Sequence, residues 1–151
     1  MILFLDIDGV LHPSSGSTPF VPACVAVLES LLSGFPDIEI VITSSWREDK
    51  SLPELKALLG GQIGSRVIGI TPVIDEPFLH HVRFHETQAY LADTDKQDTP
   101  WVALDDEIGN YPSNLPVLIT DRRSGITEED GLRLKHMIAE LQKHRNYTDR
   151  T

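Results

Sequence analysis

Unbroken apolar runs alternate along the chain with segments whose apolar residues recur every three or four positions. Ile2–Leu5 is such a run, closed by Asp6-Ile7-Asp8-Gly9, and a short apolar run bounded by turn signals predicts a buried strand. Val25, Leu28, Leu31 and Leu32 share helical spacing, so residues 22–32 predict a helix, stopped by Gly34 and Pro36. Residues 38–42 are nearly continuous in β-branched side chains, as in a strand covered on both faces. A short helix follows over 53–59, closed by Gly60-Gly61, then a third strand over 66–70 ended by Thr71-Pro72. Phe84, Thr87, Gln88 and Leu91 give the segment 83–91 a helical face, and strands are predicted at 101–104 and 115–120. Thr127, a hydroxyl ahead of three acids, opens a last helix that apolar positions carry to residue 143. Residues 12–19 and 73–82 show no period and read as loops. Strands alternating with helices specify an α/β fold, a doubly wound, mainly parallel five-stranded sheet with helices on both faces. Residues 1–143 are expected to form one domain and 144–151 a polar tail.

Composition narrows the classes without changing that picture. The 151 residues are 40% hydrophobic and 24% charged, ordinary for a soluble globular protein. A net charge of −10 disfavours non-specific binding to nucleic acid or membrane, since phosphate surfaces reward a basic face. The single cysteine, Cys24, has no internal disulfide partner, which fits a reducing compartment. No basic segment precedes the first apolar run, and no run is long enough to span a bilayer. The expectation is a soluble cytoplasmic protein.

The chemistry concentrates at strand ends. Asp6 and Asp8 are spaced i, i+2, which on an extended chain sends both side chains to one face, and Gly9 allows the turn that lets them converge. Two converged carboxylates repel, so the pair makes most sense around a hard divalent cation, Mg²⁺ best of all. The run Asp6-Ile7-Asp8-Gly9-Val10-Leu11 resembles motif I of the haloacid-dehalogenase (HAD) superfamily of Mg²⁺-dependent phosphohydrolases. That resemblance implies Asp6 as nucleophile and Asp8 as general acid/base. Thr43-Ser44-Ser45-Trp46-Arg47, at the carboxyl end of the second strand, is similar to motif II. There Thr43, with Ser44 as the alternative, would bind a phosphoryl oxygen; capping of the next helix is the other use for such a hydroxyl. The Ser-Ser-Trp-Arg extension is similar to that of capless HAD domains associated with RNA-repair proteins. Arg47 would offer a second phosphate contact and Trp46 a stacking or packing surface.

Arg83 stands at the start of the helix before the fourth strand, where the family places its motif III cation, with Lys96 in the 93–98 linker as the second choice. Asp105-Asp106, after the fourth strand, resembles motif IV. The metal set implied is Asp6, Asp8, Asp105 and Asp106, with Glu107 and Asn110 as further candidates. His12 lies in a loop beside the site. His80, His81 and His85 lack any recognised ligand spacing and read as surface histidines.

The resemblance implies hydrolysis of a phosphomonoester through an aspartyl-phosphate. The spans between residues 8 and 43 and between 47 and 83 hold core elements only, leaving no room for a separate cap domain. Open-sited members of the family act on polymers, so the expected partner is a phosphorylated nucleic-acid end or phosphoprotein. The similarity to RNA-repair HAD domains favours the former, and the acidic composition tempers that preference. A receiver domain would carry its acid pair and phosphorylated Asp in the opposite order. The remaining alternative is a non-catalytic module that binds a phosphorylated partner.

Overall fold

The computed structural model describes residues 1–15 and 19–148; residues 16–18 of the expected first loop and 149–151 of the expected tail lie outside it. Five strands, β1 (Ile2–Leu5), β2 (Glu39–Ile42), β3 (Val67–Ile70), β4 (Trp101–Asp105) and β5 (Val117–Ile119), pair in the order β3-β2-β1-β4-β5. Every pairing is parallel. The chain winds outward from β1 to β3, then crosses back to place β4 on the other side of β1. That reversal creates the crevice where open α/β sheets bind ligands.

Alternation along the strands sorts the core into two layers. Leu3 and Leu5 of β1, Ile40 and Ile42 of β2, and Val102 and Leu104 of β4 face one way. They are covered by α1 (Pro22–Gly34), α2 (Leu52–Leu59), α3 (Gly61–Arg66) and α5 (Glu128–Thr148). Ile2, Phe4, Val41 and Ala103 face the other way, where Tyr90 and Leu91 of α4 (Val82–Asp93) cover them. Phe4 meets Tyr90 and Trp101 edge to face, at 6.1 and 5.8 Å between ring centroids. Helices therefore lie on both faces, as the apolar pattern requires, and no separate cap is present among the described residues.

Two boundaries differ from the sequence reading. Gly60-Gly61 ends α2, yet α3 begins at once; both glycines take positive φ, at 58° and 50°, which turns the chain directly into the new helix. The last helix runs to Thr148, well past residue 143, because no glycine or proline interrupts residues 132–148. Residues 144–148 are thus helix and not tail. No helix among the described residues is long and apolar enough to cross a membrane.

Candidate active site

Strand register builds the site. Leu5 lies beside Ile42 on one side and Leu104 on the other, so the next residues, Asp6, Thr43 and Asp105, form one row along the carboxyl edge. The bonds Asp6 N–H to Leu104 O and Thr43 N–H to Leu5 O, both 3.0 Å, extend the ladder to that row. By the same period of two, Asp6 follows Phe4, Thr43 follows Val41 and Asp105 follows Ala103 onto the α4 face. Arg83, in the first turn of α4, is on that face too.

Gly9 then turns the chain away. Its φ is +75°, and a Cβ there would lie 2.3 Å from Asp106 Oδ2, so no other residue allows motif I to pack this close to motif IV. Thr120, just past β5, fixes the turn by donating to Gly9 O at 2.6 Å.

Asp6, Asp105 and Asp106 each offer an oxygen, and these atoms lie within 4.8 Å of one another. Burial, and then the charge of Asp105, push the Asp6 carboxyl from 3.8 up to about 8. Burial likewise raises Asp105 to about 6, although bonds from Glu107 N–H and Asn110 Nδ2 hold it down. Acids gathered this closely resist being charged together, and a divalent cation removes that conflict. Three hard oxygen donors fit such an ion, and Asn110 fixes the orientation of Asp105, as outer partners of metal ligands do. Burial is the largest single influence on the Arg83 guanidinium and lowers it, but the 2.7 Å bond to Glu86 and the charges of Glu86, Asp6 and Asp105 together raise it, and its charge in turn acts on Asp6 and Asp105.

The Thr43 hydroxyl is fully buried in this row and has no hydrogen-bond partner among the described residues. Leaving such a group unsatisfied is destabilising, and its O–H is left to donate to a ligand bound at this edge. The family described as the HAD domain in Swiss Army Knife RNA repair proteins matches residues 2–131. The chain belongs to this family. Searches of the curated proteins and of the solved structures each gave no match. The HAD assignment brings with it a phosphohydrolase type of function.

Within this HAD domain several expected roles change. Asp8 is outside the carboxylate cluster: His12 Nε2 lies 2.7 Å from its Oδ1, and Trp46 Nε1 donates to both its oxygens at 3.2 and 3.1 Å. Its carboxylate is held by neighbours from the loop and from the segment after β2, so it is not a side-chain ligand of the cluster. Ser44 caps the 3₁₀ turn Ser45–Glu48 by accepting from Trp46 N–H at 3.3 Å, a role that leaves its own O–H available to donate. Arg47 is not a phosphate contact either. Its Nε reaches Thr71 O, Nη1 reaches Thr43 O and Ser44 O, and Nη2 reaches Pro72 O and the Glu86 carboxylate. All five guanidinium protons are thereby used within the fold.

Of the two cations considered, Arg83 is the one whose charge acts on Asp6 and Asp105. Lys96 lies beyond the far end of α4, roughly 18 Å along a twelve-residue helix. Asn110 acts through Asp105, while Glu107 pairs with Arg122 on the surface. His80 and His85 are exposed and His81 bonds Gly109 O at 3.1 Å, so the histidines form no ligand set.

Sequence reasoning missed Glu86, which is buried between Arg47 and Arg83 and also accepts from Ile74 N–H at 3.2 Å. Its i, i+3 spacing from Arg83 was visible; its pairing with Arg47 was not. Tyr111, also missed, has a buried hydroxyl without a partner, and the charges of Asp105 and Asp6 act on it. Arg122, also missed, is half exposed and has its Nε 3.8 Å from Asp106 Oδ2.

Proposed function

We propose that this HAD domain is a Mg²⁺-dependent phosphomonoesterase that works through an aspartyl-phosphate on Asp6. The observation that carries the reading is the row of Asp6, Thr43 and Asp105, with the unpartnered Thr43 hydroxyl buried beside the nucleophile. An Asp6 oxygen attacks phosphorus and forms the new P–O bond while the ester P–O bond breaks. Asp8 gives a proton to the departing alkoxide, then takes one from the water that attacks the aspartyl-phosphate, releasing inorganic phosphate and free Asp6. Thr43 donates to a phosphoryl oxygen, and Arg83 offsets the charge that accumulates on the transferring group. Asp6, Asp105 and Asp106 would hold Mg²⁺, which supplies electrostatic stabilisation of the phosphoryl oxygens when bound.

Among the described residues no separate cap lies over the site, and the family is described as a domain of RNA repair proteins. Both support a terminal phosphate of a nucleic acid as the substrate, with the polymer lying outside the crevice.

The test is phosphate release from a panel of phosphomonoesters, including oligonucleotides phosphorylated at either end, with and without Mg²⁺. Release that requires Mg²⁺ and falls by at least roughly 10³-fold in Asp6→Asn is the expected result. If the wild type releases nothing yet binds a phosphate mimic when Mg²⁺ is present, the domain is a binding module and the hydrolytic reading fails.

A further inference from the structure

Asp8 is the acid of motif I that the cluster does not use, and the structure surrounds it with a separate apparatus. Gly9 N–H bonds His12 O at 2.9 Å, and residues 8 and 12 form a bridge. This returns the chain on itself and brings the His12 ring against the Asp8 carboxylate. His12 is 2% exposed. From the other strand end, Trp46 turns its indole N–H onto the same carboxylate.

Neither ring nitrogen is free to wander. The His12 ring meets Phe20 and Trp46 edge to face, at 5.7 and 5.8 Å, and Phe20 stacks on Trp46 at 5.5 Å and 24°. Lys50 Nζ lies 5.3 Å over the Trp46 ring. Three packed rings thus fix the directions of two polar atoms.

The Asp8 side chain itself remains 40% exposed. A carboxylate that open can be satisfied by water, so burial does not explain why two ring nitrogens converge on it. What they fix is direction. The hold keeps Asp8 apart from Asp6, Asp105 and Asp106 and aims its carboxyl from a single side.

We propose that His12 and Trp46 are positioning residues for Asp8, holding its carboxyl where it protonates the leaving oxygen. The proposal rests on the phosphomonoesterase reading above. It makes a specific demand: loss of the hold harms only those steps in which Asp8 moves a proton. An alkoxide leaving from a ribose must be protonated as the ester bond breaks. A dinitrophenolate leaves without a proton.

The experiment compares kcat/KM for a phosphorylated oligonucleotide and for dinitrophenyl phosphate in His12→Phe and Trp46→Phe, which keep a packed ring and remove the ring nitrogen that meets Asp8. The oligonucleotide value should fall by roughly 10²-fold or more, the usual contribution of general acid catalysis. The dinitrophenyl value should change little, because kcat/KM reports only the steps up to loss of the leaving group. Turnover of dinitrophenyl phosphate should then show a burst of dinitrophenolate close to the enzyme concentration, since hydrolysis of the aspartyl-phosphate still needs Asp8 as base. His12→Gln, which returns an N–H near the position of Nε2, should recover part of the oligonucleotide activity. Thermal melts establish that each variant is folded, and the Trp46 and Gln variants decide the matter if His12→Phe is not. Equal losses on both substrates, or undiminished oligonucleotide activity, overturn the proposal alone. A wild type inert on both substrates overturns the phosphomonoesterase reading, and this proposal with it.

Discussion

Thr43 shows at the residue scale how a site departs from what folding alone would select. Its hydroxyl is buried and unpaired, and removing such a group relieves a desolvation penalty of about 1–3 kcal/mol. Thr43→Val keeps the shape, so it should raise stability by about 1 kcal/mol in urea unfolding, while phosphate release falls by at least tenfold. A variant that loses both stability and activity would show that the hydroxyl has a partner within the fold. The sequence made Thr43 legible because strand register alone places it beside Asp6. Arg47, four residues on, was not legible. Its side chain answers to carbonyls of Thr71 and Pro72 and to Glu86, and contacts that distant along the chain leave no local pattern.

At the scale of elements, the Arg47–Glu86 pair fastens the end of β2 to α4 and to the segment after β3. Both side chains are at most 1% exposed, and burial lowers the Arg47 pKa although Glu86 opposes it. Breaking a buried pair from one side typically costs about 3–5 kcal/mol, because the other charge remains inside. Arg47→Ala should lose stability on that scale in a denaturant melt, and Arg47→Lys much of it, since an ammonium cannot reach five acceptors in a plane. A loss below about 1 kcal/mol would mean that the pair is effectively solvated. The strands themselves were plain in the sequence, since runs such as residues 2–5 and the nearly continuous 38–42 are short, apolar and bounded by turn signals. The helix α3 was hidden, because Gly60-Gly61 reads as a terminator. Gly64 explains its close packing on α2: a Cβ there would lie 2.4 Å from Lys56 O.

For the whole molecule, the governing fact is a net charge of −10 with buried acids at its working end. Asp6 at about 8 and Asp105 at about 6 keep protons that the unfolded chain, near 3.8, has already released. The folded state therefore binds more protons through this window, and the metal-free protein loses stability as pH rises from about 4 to about 8. Mg²⁺ competes with those protons, so its stabilising effect should grow over the same range. Melting temperatures recorded at pH 5 and pH 8, with Mg²⁺ and with a chelator, test both signs. A chelated protein whose melting temperature climbs toward pH 8 would refute the account of the acid cluster. The parallel five-stranded sheet and the site residues at its strand ends were readable in advance from alternation and spacing, while the order of the strands was not. The division of the acids into a cluster of three and a separate Asp8 was not, because it depends on where His12 and Trp46 come to rest.

Glu86 touches Arg47, Arg83 and the backbone of Ile74 with a single carboxylate, and this shapes how the family can drift. Position 83 is free to exchange one cation for another, because it faces Glu86 from the open side. Positions 47 and 86 are locked to each other, since either change alone strands a charge in the interior. Among relatives they should vary together or not at all, and a lineage that has replaced both with apolar residues will have found another way to hold the end of its second strand.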